Sequence, residues 1–480
     1  MGLLTAVGGG YYTIHPALPW FLKGLFDEHF GGGDEGEAEA GWSSRGRAAR
    51  AFVEAMGALG DYYHRQFSEG NREVIGALTA EEANLLHARE MARAAAWWDP
   101  VTSAMQGLHN LYDLTGRRTE WARLVAEIVP DFVDPATDGP LPGREAAWSV
   151  VTYYRVRLAR ENLDLREAGR LQQLRTEWDR QAAEEVVDRL LATLPGQDEE
   201  PASATATDPP RGEDSVPPVP PLVAKLRRAG SPDLAPSDRN LLRTLAASLH
   251  DLAQIQRELE EPACVGAYGE ALALDQEIGD RQGAAICAFN LGTAFKDLPS
   301  LRDLEQAETW FRRSLELRAE GDRLGRGKCS NQLGAVALER FQDAREAGEP
   351  EERLLAHLNE AVRRYSQALD LLPPNAADDL AVTHNQLGMT FTEAGDLDRA
   401  QEHFGKSIRY QEAQGNRFGA GQTRFNVALL LARAGRFPDA REYARAALRD
   451  FESYGDRAAT MIETTRRLLA QIEQHLAEPR

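Results

Sequence analysis

Two segments of equal length decide the fold: LGMTFTEAGDLDRAQEHFGKSI at 387–408 and VALLLARAGRFPDAREYARAAL at 427–448. Each has a small residue, Gly388 or Ala428, at its second position and an alanine twelve positions after that residue. The first segment then has Phe404 where the second has an alanine. Since small residues let two helices approach closely, this spacing predicts two antiparallel helices that cross at these positions.

The same pattern occurs earlier in the chain. Leu291-Gly292 and Leu333-Gly334 repeat the Leu-Gly step, and each follows an asparagine by one or two residues. A second signal, a glycine followed by Asp or Asn and then Arg, marks the junctions between units and stands at 279–281, 321–323, 415–417 and 455–457. Units of about 40 residues that share both signals indicate an internal repeat.

The repeat resembles the tetratricopeptide repeat (TPR), and it is most similar to the long repeats of kinesin light chain and of LGN-type polarity proteins. That resemblance implies an α-solenoid, a TPR superhelix whose first helices line a concave groove, with about five repeats in residues 237–480. The first repeat departs from the pattern because Ala253 stands where glycine is usual. The third carries an insertion, 339–352, which we expect to lengthen both of its helices.

Three segments precede the repeats. Residues 1–40 contain two β-prone stretches around Gly8-Gly9-Gly10, typical of a hairpin, and then an apolar helix that starts at Pro16. Residues 41–195 show helical periodicity with short turns and predict a TPR-like helical domain. Residues 196–236 are rich in Pro and acidic residues, which favours a linker. The fold class is therefore all-α, apart from the short N-terminal hairpin.

Composition excludes several classes of function. The formal net charge is −20, which disfavours a nucleic-acid partner. No apolar run is long enough to span a bilayer, so we expect no membrane partner and a cytoplasmic location. The three cysteines have neither paired nor zinc-site spacing. We expect no catalytic residues, no metal and no cofactor, and hence a protein that is not an enzyme.

The N-terminal segment resembles the end of the winged-helix domain in STAND-class (NB-ARC-like) signalling ATPases. The residues that carry the resemblance run from Tyr11 to Pro16, before an apolar helix. In that family a histidine of an MHD-like motif senses bound ADP, and His15 would take that role here, although Pro16 replaces the last residue of the motif. The order of wing, helical domain and TPRs implies a sensor part whose ATPase domain belongs to the parent protein.

The ATPase domain itself is not in this sequence, because no G-x-x-x-x-G-K-[ST] phosphate loop occurs. The stretch 322–329 ends in Gly327-Lys328-Cys329, but it lies at a repeat junction and starts with Asp322 in place of glycine. The alternative to a STAND sensor is a stand-alone TPR scaffold or adaptor.

The predicted partner is a protein or peptide bound along the first helices. Side chains expected in this groove are His250, Arg257, Asn290, Lys328, Asn331, Asn385, Gln386, Gln422 and Asn426. An asparagine amide both donates and accepts hydrogen bonds, so a row of them suits an extended peptide backbone, and Lys328 suits an acidic side chain. The alternative is that these asparagines only stabilise neighbouring helices.

Overall fold

A computed structural model describes residues 4–8, 11–14, 44–68, 73–192, 219–230 and 234–477. This part of the chain is helical except for two short strands. It divides into two compact units, Met1–Glu177 and Trp178–Arg480.

The first unit opens with strands β1 (Leu4–Gly8) and β2 (Tyr11–Ile14), which pair antiparallel with an irregularity between Ala6 and Gly8. His15 and the apolar helix expected after Pro16 lie outside the described residues. The winged-helix interpretation of residues 1–40 therefore stays a prediction.

Six helices follow: α1 (Ser44–Ser68), α2 (Val74–Ala94), α3 (Trp98–Thr115), α4 (Arg118–Phe132), α5 (Glu145–Glu161) and α6 (Leu165–Ala192). Helices α1 and α3 cross closely at two glycines, since a Cβ on Gly107 would lie 2.9 Å from the Cα of Gly60. The core beside this crossing is aliphatic, with Leu78, Leu85 and Leu108 fully buried. Hydrophobic periodicity thus produces packed helices in this stretch.

The second unit begins inside α6, earlier than the predicted boundary at 195. Ala183 and Val187 on α6 belong to the same apolar cluster as the first TPR hairpin. Arg180 supports this packing by donating from Nη2 to Glu270 Oε2 at 2.7 Å. The end of α6 is therefore part of the repeat unit.

The predicted linker 196–236 needs a correction, because part of it is structured. Helix α7 (Pro221–Ala229) lies within this range and buries Leu222, Val223 and Leu226 in the first cluster of the repeat unit. Its proline occupies the first helical turn, where a missing N–H costs nothing. The Pro-rich composition of this range therefore led the sequence analysis to miss one short amphipathic helix.

Five helical hairpins and a final helix complete the second unit. Their bounds are α8 (Pro236–Glu258), α9 (Cys264–Glu277), α10 (Arg281–Asp297), α11 (Leu304–Leu317), α12 (Arg323–Glu346), α13 (Glu351–Leu371), α14 (Ala377–Glu393), α15 (Leu397–Ala413), α16 (Arg417–Arg433), α17 (Phe437–Glu452) and α18 (Ala459–Ala477), with a 3₁₀ turn Gly455–Ala458 before the last. Helices α12 and α13 are longer than the helices of the neighbouring repeats, as the insertion predicts.

Each hairpin is closed by a pair of complementary side-chain volumes. A Cβ on Gly388 would lie 2.6 Å from the ring of Phe404, and glycines 292 and 334 face Phe311 and Tyr365 in the same way. In the last hairpin Ala428 and Ala444 occupy the two equivalent positions, and both are fully buried. Glycine opposite an aromatic ring and alanine opposite alanine fill similar space, which satisfies close packing in both cases.

The Gly-Asp/Asn-Arg signal has a structural cause. Gly279 and Gly415 adopt left-handed φ angles of 77° and 70°, which ends the preceding helix. The next residue caps the following helix: Asp280 accepts from the N–H of Gly283, and Asn416 accepts from the N–H of Gly419. These three residues thus end one helix and begin the next.

Candidate peptide-binding groove

We call the face formed by the first helices α8, α10, α12, α14 and α16 the groove face. Neighbouring first helices contact one another: α8 touches α10, α12 touches α14, and α14 touches α16. Side chains on this face therefore lie within reach of the next repeat.

The predicted asparagines do not form a single row. Asn331 and Asn385 lie three residues before the glycine of the Leu-Gly step, whereas Asn290 and Asn426 lie two residues before the equivalent position. One residue rotates a side chain by about 100° around an α-helix, so the two sets point in different directions. On α10, α12, α14 and α16 the asparagine thus lies two, three, three and two residues before this position.

Hydrogen bonds join neighbouring repeats where the two registers meet on adjacent first helices. Asn426 Nδ2 donates to Asn385 Oδ1 at 3.1 Å, and Asn290 Nδ2 lies 2.8 Å from His250 Nε2. All four residues are half-buried. Asn385 and Asn426 therefore bond to each other in the absence of a ligand. In these two pairs, the asparagine side chain joins two neighbouring first helices.

The other predicted groove residues differ in their environments. Lys328 is exposed, and its Nζ lies 3.5 Å from Asp379 Oδ2 of the next repeat. The Oδ1 atom of Asn331 and the Nε atom of Arg257 are buried and have no hydrogen-bond partner among the described residues. Gln386 is half-buried and Gln422 is exposed. Lys328 is therefore already partly neutralised.

Sequence reasoning missed a pocket on the groove face. It has a volume of about 140 Å³, and its walls come from α12, α14 and α16, with Phe404 of α15 completing the lining. The apolar walls are Leu338, Met389, Leu429 and Leu430, and Asn426 lies at its edge. Met389 and Leu429 directly follow Gly388 and Ala428, so the repeat alignment contained the signal for these positions.

The rim of this pocket carries charged side chains. Glu393 forms an ion pair with Arg345, and its other oxygen lies 3.9 Å from Arg433 Nη1. The Arg433 side chain is 67% exposed. Two guanidinium groups therefore share one carboxylate, and of these two Arg433 lines the pocket.

His384 lies inside a repeat. It is buried between α14 and α15, with its Nδ1 3.0 Å from His403 Nδ1 and its ring stacked on Tyr410. Burial, followed by the charge of His403, lowers the pKa of His384 to about 4. A hydrogen bond between two Nδ1 atoms needs one donor and one acceptor, so the pair cannot be doubly protonated without losing this contact.

The phosphate-loop lookalike forms the start of α12. Asp322 accepts a hydrogen bond from the N–H of Gly325 at 2.8 Å and so caps the helix. A Cβ on Gly327 would lie 2.8 Å from Leu372, which shows that this glycine serves helix packing. The segment is a repeat junction.

Among the residues that the structure describes, no helix has both the length and the apolar character needed to cross a bilayer. The His, Cys, Asp and Glu side chains of these described residues form no group of three or more suited to a metal ion.

Comparison with known proteins agrees with the repeat pattern. The family description of the tetratricopeptide repeat matches residues 379–453. The photosystem I assembly protein Ycf3 of Synechococcus elongatus is 31% identical over 130 residues, which cover 24% of this chain and 69% of that protein. The chain belongs to the tetratricopeptide repeat family.

Solved structures similar to this chain include helical-repeat proteins of several kinds. A Rap protein complexed with competence and sporulation factor is 12% identical and covers 89% of this chain and 100% of that chain, with a TM-score of 0.42. BtubC from P. vanneervenii is 20% identical and covers 54% of this chain and 91% of that chain, with a TM-score of 0.34. A STAND protein with a TPR sensor from Pyrococcus horikoshii is 11% identical and covers 83% of this chain and 56% of that chain, with a TM-score of 0.36.

Proposed function

We propose that the second unit is a protein-recognition module that holds a peptide segment of its partner on the groove face. The observation that carries this proposal is the pocket of about 140 Å³ between three successive first helices, with Asn426 at its edge. An apolar depression with a few polar groups beside it is the usual form of a recognition site. The predicted groove residues remain part of this proposal.

The groove asparagines provide the first test. Replacing Asn385 and Asn426 together by alanine should weaken peptide binding about tenfold, since each lost amide contact contributes roughly 0.5–1.5 kcal/mol. Binding is measured by fluorescence anisotropy with a peptide selected on the full chain from a random dodecapeptide library. The matched control is Asn359→Ala, because Asn359 is exposed on the second helix α13.

Circular dichroism of the double variant separates binding from folding. The hydrogen bond between the two side chains is half-buried, so its loss should lower stability by only about 1 kcal/mol. Unchanged peptide affinity in a folded double variant would remove these asparagines from the recognition surface. Unfolding of the variant would assign them a purely structural role.

A finer proposal is that this module is the sensor of a STAND-type signalling ATPase. Its support is the sequence resemblance of residues 1–40 and the order of hairpin, helical domain and repeats. Ligand binding to the repeats would favour one conformation of the parent protein and so release the off state.

The test of the sensor role is a capture experiment from the native cells with an antibody against the repeat unit. A sensor should be recovered with a P-loop ATPase, on the same polypeptide or bound to it, whose ATP hydrolysis rises when the selected peptide is added. The isolated chain should show no ATP binding by calorimetry. Recovery without any ATPase would instead support the stand-alone scaffold.

A further inference from the structure

We propose that the pocket between α12, α14 and α16 receives one large apolar side chain of the partner peptide, and that an acidic residue close to it in the peptide pairs with Arg433. This inference rests on the proposed peptide-binding function and specifies the chemistry of the ligand. It differs from the sequence prediction, which assigned recognition of the acidic group to Lys328.

The pocket has the size and the walls for a single side chain. Its volume of about 140 Å³ is close to that of an apolar cavity, roughly 150 Å³, that accommodates benzene. Leu338, Met389 and Leu429 provide apolar contacts from three different repeats. Because these walls offer water few hydrogen bonds, an apolar side chain of leucine to phenylalanine size is favoured over solvent.

The edge of the pocket can bind the peptide backbone beside this side chain. Asn426 lines the pocket and donates through Nδ2 to Asn385, a bond that does not use its own Oδ1. A backbone N–H of the ligand is the natural donor to this oxygen. The amide pair thus fixes the peptide next to its anchoring side chain without selecting its sequence.

The rim charges select the neighbouring residue of the peptide. Glu393 is shared between Arg345 and Arg433, and its contact with Arg433 is the longer of the two. Arg433 is largely exposed and lines the pocket. A carboxylate of the ligand can therefore approach Arg433 and form a bidentate pair, whereas a basic residue would have to compete with Arg345 for Glu393.

The experiment selects random dodecapeptides on the full chain by display and measures the dissociation constants of the selected peptides by fluorescence anisotropy. The selected sequences should share a Leu, Ile, Met or Phe with an Asp or Glu within three positions. Leu429→Lys, which fills the pocket, should weaken binding at least tenfold. Arg433→Glu should weaken it about tenfold, and a peptide with Lys in place of its acidic residue should recover binding to this variant.

Arg449→Glu is the matched control, because it makes the same charge change at an exposed site on the second helix α17 and should leave affinity unchanged. If Leu429→Lys proves unstable, Arg433→Glu together with the Lys-substituted peptide still tests the inference. Tight-binding peptides without the shared pattern, or affinities insensitive to Arg433→Glu, would overturn this inference while leaving peptide binding intact. Failure to select any peptide would overturn the proposed function as well.

Discussion

Gly388→Ala should destabilise the repeat unit in the wild-type protein. The same substitution should stabilise the repeat unit in a variant that already carries Phe404→Ala. The added methyl would stand 2.6 Å from the Phe404 ring, and overpacking of this kind costs about 1–3 kcal/mol. Phe404→Ala alone should cost about 3–5 kcal/mol, because it empties a fully buried site. With the ring removed, Gly388→Ala should become favourable through the higher helix propensity of alanine.

The double variant recreates the Ala428 and Ala444 pair of the last hairpin. The two changes should therefore couple by about 2–3 kcal/mol in urea unfolding followed by circular dichroism. Gly405→Ala is the control on the same helix α15, since no atom lies within 4 Å of its added methyl, and it should stabilise the protein by about 1 kcal/mol. Additive effects of the two changes would show that size complementarity does not close the hairpin.

Asp275→Asn should stabilise the protein at neutral and alkaline pH, but not in acid. The Asp275 carboxyl is 5% exposed, and its hydrogen-bond partner is the Cys287 thiol, whose Sγ lies 3.8 Å away. Burial, with a further contribution from Asp280, raises the pKa of Asp275 from an ordinary value near 3.8 to about 7. The folded state therefore keeps a proton that the unfolded chain releases near pH 4.

The sign of the pH dependence follows from this difference. The neutral carboxyl contributes its full stability below about pH 4, and the contribution is lost as pH rises towards 7. Asparagine has no proton to lose. The free energy of unfolding of Asp275→Asn should therefore exceed that of the wild type by on the order of 2–4 kcal/mol at pH 8 and by little at pH 4. The equivalent pair in α15 and α16 is already neutral, with Gln411 accepting from Thr423 at 3.2 Å.

Urea unfolding at several pH values between 4 and 9 measures this effect. Glu316→Gln is the control, because it neutralises an exposed carboxylate on the second helix α11. A stability difference that is the same at pH 4 and pH 8 would mean that Asp275 does not titrate in this range.

Local sequence rules determined most of the repeat unit. Leu-Gly steps, the small residue twelve positions later and the Gly-Asp/Asn-Arg junctions placed the hairpins, because helix caps and close helix crossings depend on residues near one another in the chain. The long α12 and α13 were predictable for the same reason. Local rules failed for α7, because its Pro-rich surroundings favour a linker. The helix is stabilised by burial of Leu222, Val223 and Leu226 in a cluster formed by other parts of the chain.

By itself, the sequence determined the class of fold and predicted the face on which a partner would bind. Only the tertiary structure decided that this face contains the bond between Asn385 and Asn426 and the pocket between α12, α14 and α16, and that His384 is buried inside a repeat. The physical reason is that these features arise between repeats or between packed helices. Their geometry depends on the angle at which successive hairpins stack, and no spacing within a single repeat encodes that angle.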